Sequence, residues 1–231
     1  MLLGIIGAMN EEVIQLKEEM ILENTREIGG YNFFKGTLLG KNIVLVECGI
    51  GKVNAAICST LLIQEFNVDK VLFTGVAGAL NPEINIGDIV VSTDLVEHDF
   101  DATAFGYDHG VIPRMEISKF QADKELVELA KNVAVENFGE NRVFMGTILS
   151  GDVFVASLDK IKWLRDTFNG ECTEMEGASV AHVCHVLNKP FVIIRSISDK
   201  ANHDANMNFD EFVKLAAQNS KVIIEGMVKG F

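Results

Sequence analysis

Apolar residues along this chain fall into two alternating rhythms. Short, nearly continuous runs rich in Val and Ile read as buried strands: LLGIIGA (2–8), NIVLVECG (42–49), DKVLFTGVAG (69–78), DIVVSTDLVEH (88–98), RVFMGTILSG (142–151) and PFVIIRSISD (190–199). Between them, apolar residues recur three and four apart, the spacing of a helix that buries one face. These stretches are 10–20, 52–66, roughly 122–137, roughly 156–168, EMEGASVAHVCHVL (174–187) and NFDEFVKLAAQNSKVIIEGMVK (208–229). Strands joined through helices need crossover connections, so the pattern predicts one α/β domain with a largely parallel sheet and helices on both faces. Ligands of such sheets bind beyond the carboxyl ends of the strands. That rule singles out 8–12, 49–52, 75–78, 150–154 and 196–199.

Composition narrows the function. The 231 residues are 48% apolar and 23% charged, enough to bury a core, and only three prolines leave little room for linkers. Lys and Arg total 20 against 33 Asp and Glu, a net charge of −13. That field repels nucleic acid and anionic membrane surfaces, and points to a small ligand. No apolar run approaches the roughly 18 residues that span a bilayer. MLLGIIGAMNEE has no basic segment before it and reads as a first buried strand rather than a signal peptide. Cys48, Cys58, Cys172 and Cys184 form no CxxC pair and sit in apolar stretches, as expected of buried thiols in a reducing cytoplasm.

Two motifs fail on spacing. GIGK (49–52) has no glycine five residues before Gly51 and has Val53 in place of the Ser or Thr of a phosphate-binding GxxxxGK[ST] loop, and no GxGxxG occurs. HVCH (182–185) puts His182 and His185 on one helical face, but no third ligand sits at a useful spacing for zinc, so helix packing accounts for them. Three acids need weighing. Glu12 in a first helical turn suits the helix dipole, Thr173–Glu176 fits a T-x-x-E capping box, and Asp199 ends a strand. Taken together, all three fall at carboxyl ends of strands, where one pocket could gather the acid and base that glycosidic hydrolysis needs. Position alone does not choose them over Asp88, Asp94, Asp99 or Asp152.

The ordered segments GIIGAMNEE (4–12), TGVAGAL (74–80), GDIVVS (87–92), HDFDATAFGY (98–107), SGDVF (150–154), EMEGASVAHVCH (174–185), RSISDKA (195–201) and NFDEF (208–212) span the chain. They resemble the bacterial 5′-methylthioadenosine/S-adenosylhomocysteine nucleosidases of the nucleoside phosphorylase-like superfamily. The resemblance implies a single domain over 1–231, a three-layer α/β/α sandwich with a central mixed, largely parallel twisted sheet. It implies hydrolysis of the N-glycosidic bond of adenine nucleosides carrying a 5′-thio group, in the cytoplasm, with no metal or organic cofactor. Carried onto this sequence, Glu12 would activate water and Asp199 would protonate N7 of the leaving adenine, supported by Ser198 and Arg195. Glu176 would hold the ribose hydroxyls, with Met175 against the sugar. Phe154 would stack on the base, and the Val155 backbone would bond its edge. Met9, Val76 and Gly78 would complete the binding site, and Ile50 and Phe209 would line the alkylthio pocket. Phe105 and Pro113 would reach the neighbouring subunit's site, implying a homodimer.

One position departs from the resemblance. Val76 stands where many relatives have serine in TGSAGG, which leaves preference open among methylthioadenosine, S-adenosylhomocysteine, 5′-deoxyadenosine and 6-amino-6-deoxyfutalosine. Two other functions compete with this reading. A phosphorylase of the same fold needs arginines near the first strand, where this chain has GAMNEE and only five arginines in all. A nucleoside sensor without catalysis would be expected to lose Glu12 or Asp199, and both are present.

Overall fold

A computed structural model describes residues 1–200 and 205–231, and the side chains of 205–211 and 213 lie outside the described residues. The described residues form ten strands and six α-helices in the order β1 (Leu2–Gly7), α1 (Asn10–Glu19), β2 (Ile21–Ile28), β3 (Tyr31–Leu38), β4 (Lys41–Glu47), α2 (Lys52–Phe66), β5 (Lys70–Ala79), β6 (Ile89–Glu97), β7 (Lys119–Gln121), α3 (Lys124–Phe138), β8 (Val143–Ser150), α4 (Leu158–Phe168), β9 (Gly170–Glu174), α5 (Gly177–Val186), β10 (Phe191–Asp199) and α6 (Ala205–Gly230). The expected crossovers are present. One helical layer holds α1, α3 and α6, and α2 packs on α5 on the other side.

The sheet is mixed in a way that positions the site. β1 runs parallel to β4 and β5, and β5 to β10. β6, β8 and β9 form a second parallel block of the opposite sense, joined antiparallel to the first through β10–β6 and β5–β9. The pairings therefore close a circuit of β5, β10, β6, β8 and β9 at one end of the sheet. At the β5–β9 contact, Gly78 faces Thr173 and Ala79 faces Cys172, so the carboxyl ends of both blocks converge. β10 is buried along its whole length, which explains the apolar FVII with which it begins.

Four strands were not foreseen. β2 is exposed almost throughout and its sequence, ILENTREI, does not alternate; it is the open edge of the sheet. β3 is interrupted by Gly36, where an added Cβ would run into the carbonyl oxygen of Ile21 across the hairpin. β7 is three residues long. β9 lies inside a segment that reads as helical. The capping box expected at Thr173–Glu176 does not form, because Thr173 is still in β9 and Glu176 occupies the N-cap position of α5. Glu174 Oε2 instead accepts the N–H groups of Glu176 and Gly177, at 3.2 and 2.7 Å. A carboxylate from the preceding strand thus does the capping.

The hairpin that the sequence concealed carries part of the core. Phe33 on β3 is fully buried, and its ring lies 5.0 Å from that of Phe66 at the end of α2. Phe33→Ala is expected to lower stability by about 3–5 kcal/mol, the usual cost of emptying a buried aromatic site. Urea unfolding should show this as a lower midpoint with an unchanged slope. A loss below about 1 kcal/mol would mean that the hairpin melts apart from the main core.

Candidate active site

The converging strand ends enclose a cavity of about 220 Å³. Met9 and Glu12 enter it from the β1–α1 turn, and Ile50 from the loop before α2. Val76 and Gly78 come from the end of β5, Phe154 and Val155 from the loop after β8, and Met175 and Glu176 from the β9–α5 junction. Ser198 and Asp199 close it from the end of β10. That last pair would ordinarily point to opposite faces of a strand. The register slips there, with Ile197 opposite Ala77 but Asp199 opposite Gly78, and such a bulge re-aims side chains. Ser198 Oγ donates to Asp199 Oδ2 at 2.9 Å.

The remaining expected positions lie elsewhere. Arg195 is behind the cavity wall rather than in its lining, and is 1% exposed. Phe105 sits in a single 3₁₀ turn, Thr103–Phe105, and is 85% exposed, while Pro113 is half-buried; neither lines this cavity. The Phe209 side chain lies outside the described residues. Sequence reasoning missed Glu174, which lines the cavity and ion-pairs with Arg195. Its signal was its place in EMEG, one residue from Met175, but the helical reading of that segment hid its orientation.

Glu12 is held by three backbone N–H groups. Its Oε2 accepts from Ala8 at 2.6 Å and Met9 at 3.0 Å, and its Oε1 accepts from Val76 at 3.1 Å. The helix-capping role and the site role are therefore one geometry. Burial raises the pKa of this carboxyl above the ordinary range, opposed by the Arg195 charge and by those N–H groups. Glu176 Oε1 accepts the Gly51 N–H at 2.8 Å. Its pKa is pushed up to about 8, first by burial and then by the neighbouring Glu174 charge, with Arg195 pulling the other way.

Beneath these acids, Arg195 donates to Glu174 Oε2 and lies 4.1 Å above the Phe73 ring. Ser150 Oγ donates to Glu174 Oε1 and accepts the Ala178 N–H at 2.7 Å. Gly75 makes room for this arrangement. A Cβ there would run into Arg195 Nη1 and come within 2.8 Å of Glu12 Oε1. The two rejected motifs have other partners. Lys52 Nζ is bonded to Asp99 and Glu97, and His182 meets Glu97 at 3.1 Å and stacks on Phe120 with ring centres 4.6 Å apart. Among the described residues, no three His, Cys, Asp or Glu side chains gather as metal ligands.

Such an arrangement, with carboxyls of raised or hydrogen-bonded character in a mostly apolar cavity, can hold a small polar ligand and exchange protons with it. Residues 2–229 match the sequence model of the phosphorylase superfamily. The chain is 44% identical over 229 residues to the 5′-methylthioadenosine/S-adenosylhomocysteine nucleosidase of Staphylococcus carnosus, with 99% of each chain covered. It is 41% identical to the nucleosidase of the same name from Staphylococcus haemolyticus, again with 99% of each covered. Its fold matches the Neisseria meningitidis nucleosidase in complex with methylthio-immucillin-A at a TM-score of 0.95, with 41% identity and 100% and 99% of the two chains covered. It matches a futalosine hydrolase of Helicobacter pylori at 0.94, with 39% identity and 100% and 98% covered. With agreement in sequence, fold and length from the first strand to the last helix, the chain belongs to the 5′-methylthioadenosine/S-adenosylhomocysteine nucleosidase family of the phosphorylase superfamily.

Proposed function

We propose that this protein hydrolyses the N-glycosidic bond of 5′-methylthioadenosine and S-adenosylhomocysteine, releasing adenine and the 5-substituted ribose. The observation that carries the reading is the gathering of Glu12, Glu176 and Asp199 in one mostly apolar cavity. Adenine leaves poorly as an anion, so Asp199 protonates N7 as the bond lengthens. The ribose ring becomes cationic, and the nearby carboxylates stabilise that charge. Glu12, with its pKa raised towards the working pH, takes a proton from the attacking water. Glu176 holds the ribose hydroxyls, Met175 lies against the sugar, and Phe154 stacks on the base while the Val155 backbone bonds its edge. Met9, Val76 and Gly78 fill in around the sugar and base, and Ile50 with Phe209 takes the alkylthio tail. Arg195 acts from behind the wall, through the charges of Glu174, Glu12 and Glu176.

Hydrolysis is favoured over phosphorolysis by the lining itself. Among the described residues around the cavity, none is Arg or Lys. At Val76 the backbone N–H, not the side chain, holds Glu12, so that contact does not depend on which side chain stands there. 6-Amino-6-deoxyfutalosine, to which the futalosine hydrolase likeness points, and 5′-deoxyadenosine are further candidate substrates of the same site.

We also infer a homodimer in the cytoplasm, acting as one domain over 1–231 without a cofactor. Val53, Ile57 and Val186 expose apolar surface on the paired helices α2 and α5, and a second copy is the partner that covers them. Phe105 and Pro113 would then meet the partner's cavity. Sedimentation of the active protein as a single chain would overturn this. The four cysteines are buried free thiols, which fits a reducing compartment. None of the described helices is long and apolar enough to cross a membrane.

The protein is expected to release free adenine from methylthioadenosine in phosphate-free buffer at a rate that added phosphate leaves unchanged. A ribose 1-phosphate product would point to a phosphorylase instead. Asp199→Asn and Glu12→Gln should each lower kcat by about 10²–10⁴-fold, the usual reach of a general acid or base. Adenine binding by calorimetry should survive in both, and either variant at nearly wild-type turnover would remove that residue from the mechanism. Glu176 supplies a pH test. The folded protein keeps a proton on this carboxyl up to about 8, whereas the unfolded chain releases it near the ordinary 4.5. The proton is bound more tightly in the folded state, so its contribution falls as pH rises through that window. Glu176→Gln should therefore gain melting temperature relative to wild type between pH 5 and pH 8, both values being about the ends of that window. Parallel melting curves would show that Glu176 titrates normally.

A further inference from the structure

The cavity mouth has two lips from distant parts of the sheet. Ile50 and Gly51 follow β4, while Val153, Phe154 and Val155 follow β8. In the sheet, β4 and β8 are separated by β9, β5 and β1, so no strand pairing fixes one lip against the other. What joins them is a closed ring of hydrogen bonds. The Lys52 backbone N–H donates to Asp152 Oδ1 at 2.8 Å. The Asp152 backbone N–H donates to Asp99 Oδ2 at 3.0 Å. Asp99 Oδ1 accepts from Lys52 Nζ at 2.7 Å, which returns to the start. Glu97 Oε2 accepts a second bond from the same ammonium at 3.1 Å, and Glu97 Oε1 meets His182 Nδ1 on α5.

Neighbouring geometry makes the ring matter to the site. Gly51, beside Lys52, donates its N–H to Glu176, and Asn54 Nδ2 donates to the Ile50 carbonyl at 2.7 Å. Gly51 has φ of +97°, and a Cβ there would sit 3.2 Å from Asp152 Oδ1, so the lips approach as closely as a glycine permits. Phe154 lies two residues beyond Asp152. Lys52, Glu97 and Asp99 are only 17%, 11% and 22% exposed at their side chains, so their attraction is weakly screened.

We propose that Lys52, Asp99 and Asp152 form a positioning ring that holds the two lips in register, and so sets the affinity for the nucleoside rather than the rate of bond cleavage. The ring touches no reacting atom. Its work is to keep the Gly51 N–H on Glu176 and to hold Ile50 opposite Phe154, so that the ligand does not have to order the mouth as it binds. The proposal gives GIGK and HVCH a common purpose: Lys52 closes the ring, and His182 braces its acidic side through Glu97. It rests on the reading of the cavity as a nucleoside site.

The test compares steady-state kinetics with methylthioadenosine for wild type, Lys52→Met, Asp152→Ala and Asp152→Asn, with adenine binding by calorimetry on each. Lys52→Met should raise KM about tenfold, the worth of a charged hydrogen bond near 1.4 kcal/mol, with kcat and its pH profile unchanged. Asp152→Ala should match it. Asp152→Asn keeps a carbonyl oxygen for the Lys52 N–H and should stay near wild type. The double variant Lys52→Met/Asp152→Ala should cost no more than either single one, as expected of one shared unit. Unchanged KM at wild-type melting temperature, additive losses, or a loss confined to kcat would each overturn the ring. Should Lys52→Met fail to fold, equal KM values for Asp152→Ala and Asp152→Asn would overturn it on their own. A wild type that releases no adenine defeats the nucleosidase reading; an unaltered adenine affinity in Lys52→Met and Asp152→Ala defeats the ring, whichever way that first result falls.

Discussion

Glu12, Glu174, Glu176 and Asp199 are all less than a tenth exposed, and they share the walls of one cavity. Removing a carboxylate from water costs several kcal/mol unless it is paired or neutralised. A single guanidinium makes the arrangement tenable. Arg195, on a strand buried along its whole length, pairs with Glu174 and lowers the cost of charge on Glu12 and Glu176 from behind. The pairing is not complete compensation, and the remainder appears as raised pKa values. The proposed proton transfers would draw on that remainder, because a fully compensated carboxylate would hold no proton near neutral pH. Gly75 is part of the same constraint, since any side chain there would take the space of the guanidinium.

The sheet explains how acids from three separate strand ends come together. In an open parallel sheet, carboxyl ends lie along one edge. Here two parallel blocks of opposite sense are joined through β10–β6 and β5–β9, and the closed circuit turns their carboxyl ends towards each other. The bulge between Ile197 and Asp199 then aims two successive residues into the same space. The positions of Glu176, Glu12 and Asp199 are thus set first by backbone pairing, and side-chain bonds refine them.

Much of this was legible in the order of residues. The helix at 52–66 was plain because its pattern is long, and the buried strand at 190–199 because it opens on the apolar run FVII. Strand ends made Glu12 and Asp199 candidates, but only the family resemblance separated them from Asp88, Asp94, Asp99 and Asp152. What was hidden had physical reasons. β2 buries little, so no apolar rhythm marks it. β9 is five residues long and runs straight into α5, so one periodicity masks the other. Glu174 and Glu176 are two residues apart and both line the cavity, and no spacing rule says that Glu174 would cap the helix while Glu176 took the Gly51 N–H. The circuit of strands depends on contacts between residues a hundred positions apart, such as Ile194 with Val91, and no local pattern encodes them.

Burial has a consequence for sulfur chemistry too. Cys48, Cys58, Cys172 and Cys184 are all fully enclosed, and burial pushes every thiol up, Cys58 to about 12 and Cys48 and Cys172 well above the ordinary value. Alkylating reagents and peroxides attack the thiolate, which in the folded chain is both scarce and out of reach. Cys48 follows β4, outside the sheet's closed circuit, and Cys172 lies within β9, one of the circuit's strands. Modification at either position therefore requires the sheet to open around it, and the rate of thiol loss becomes a clock for that opening.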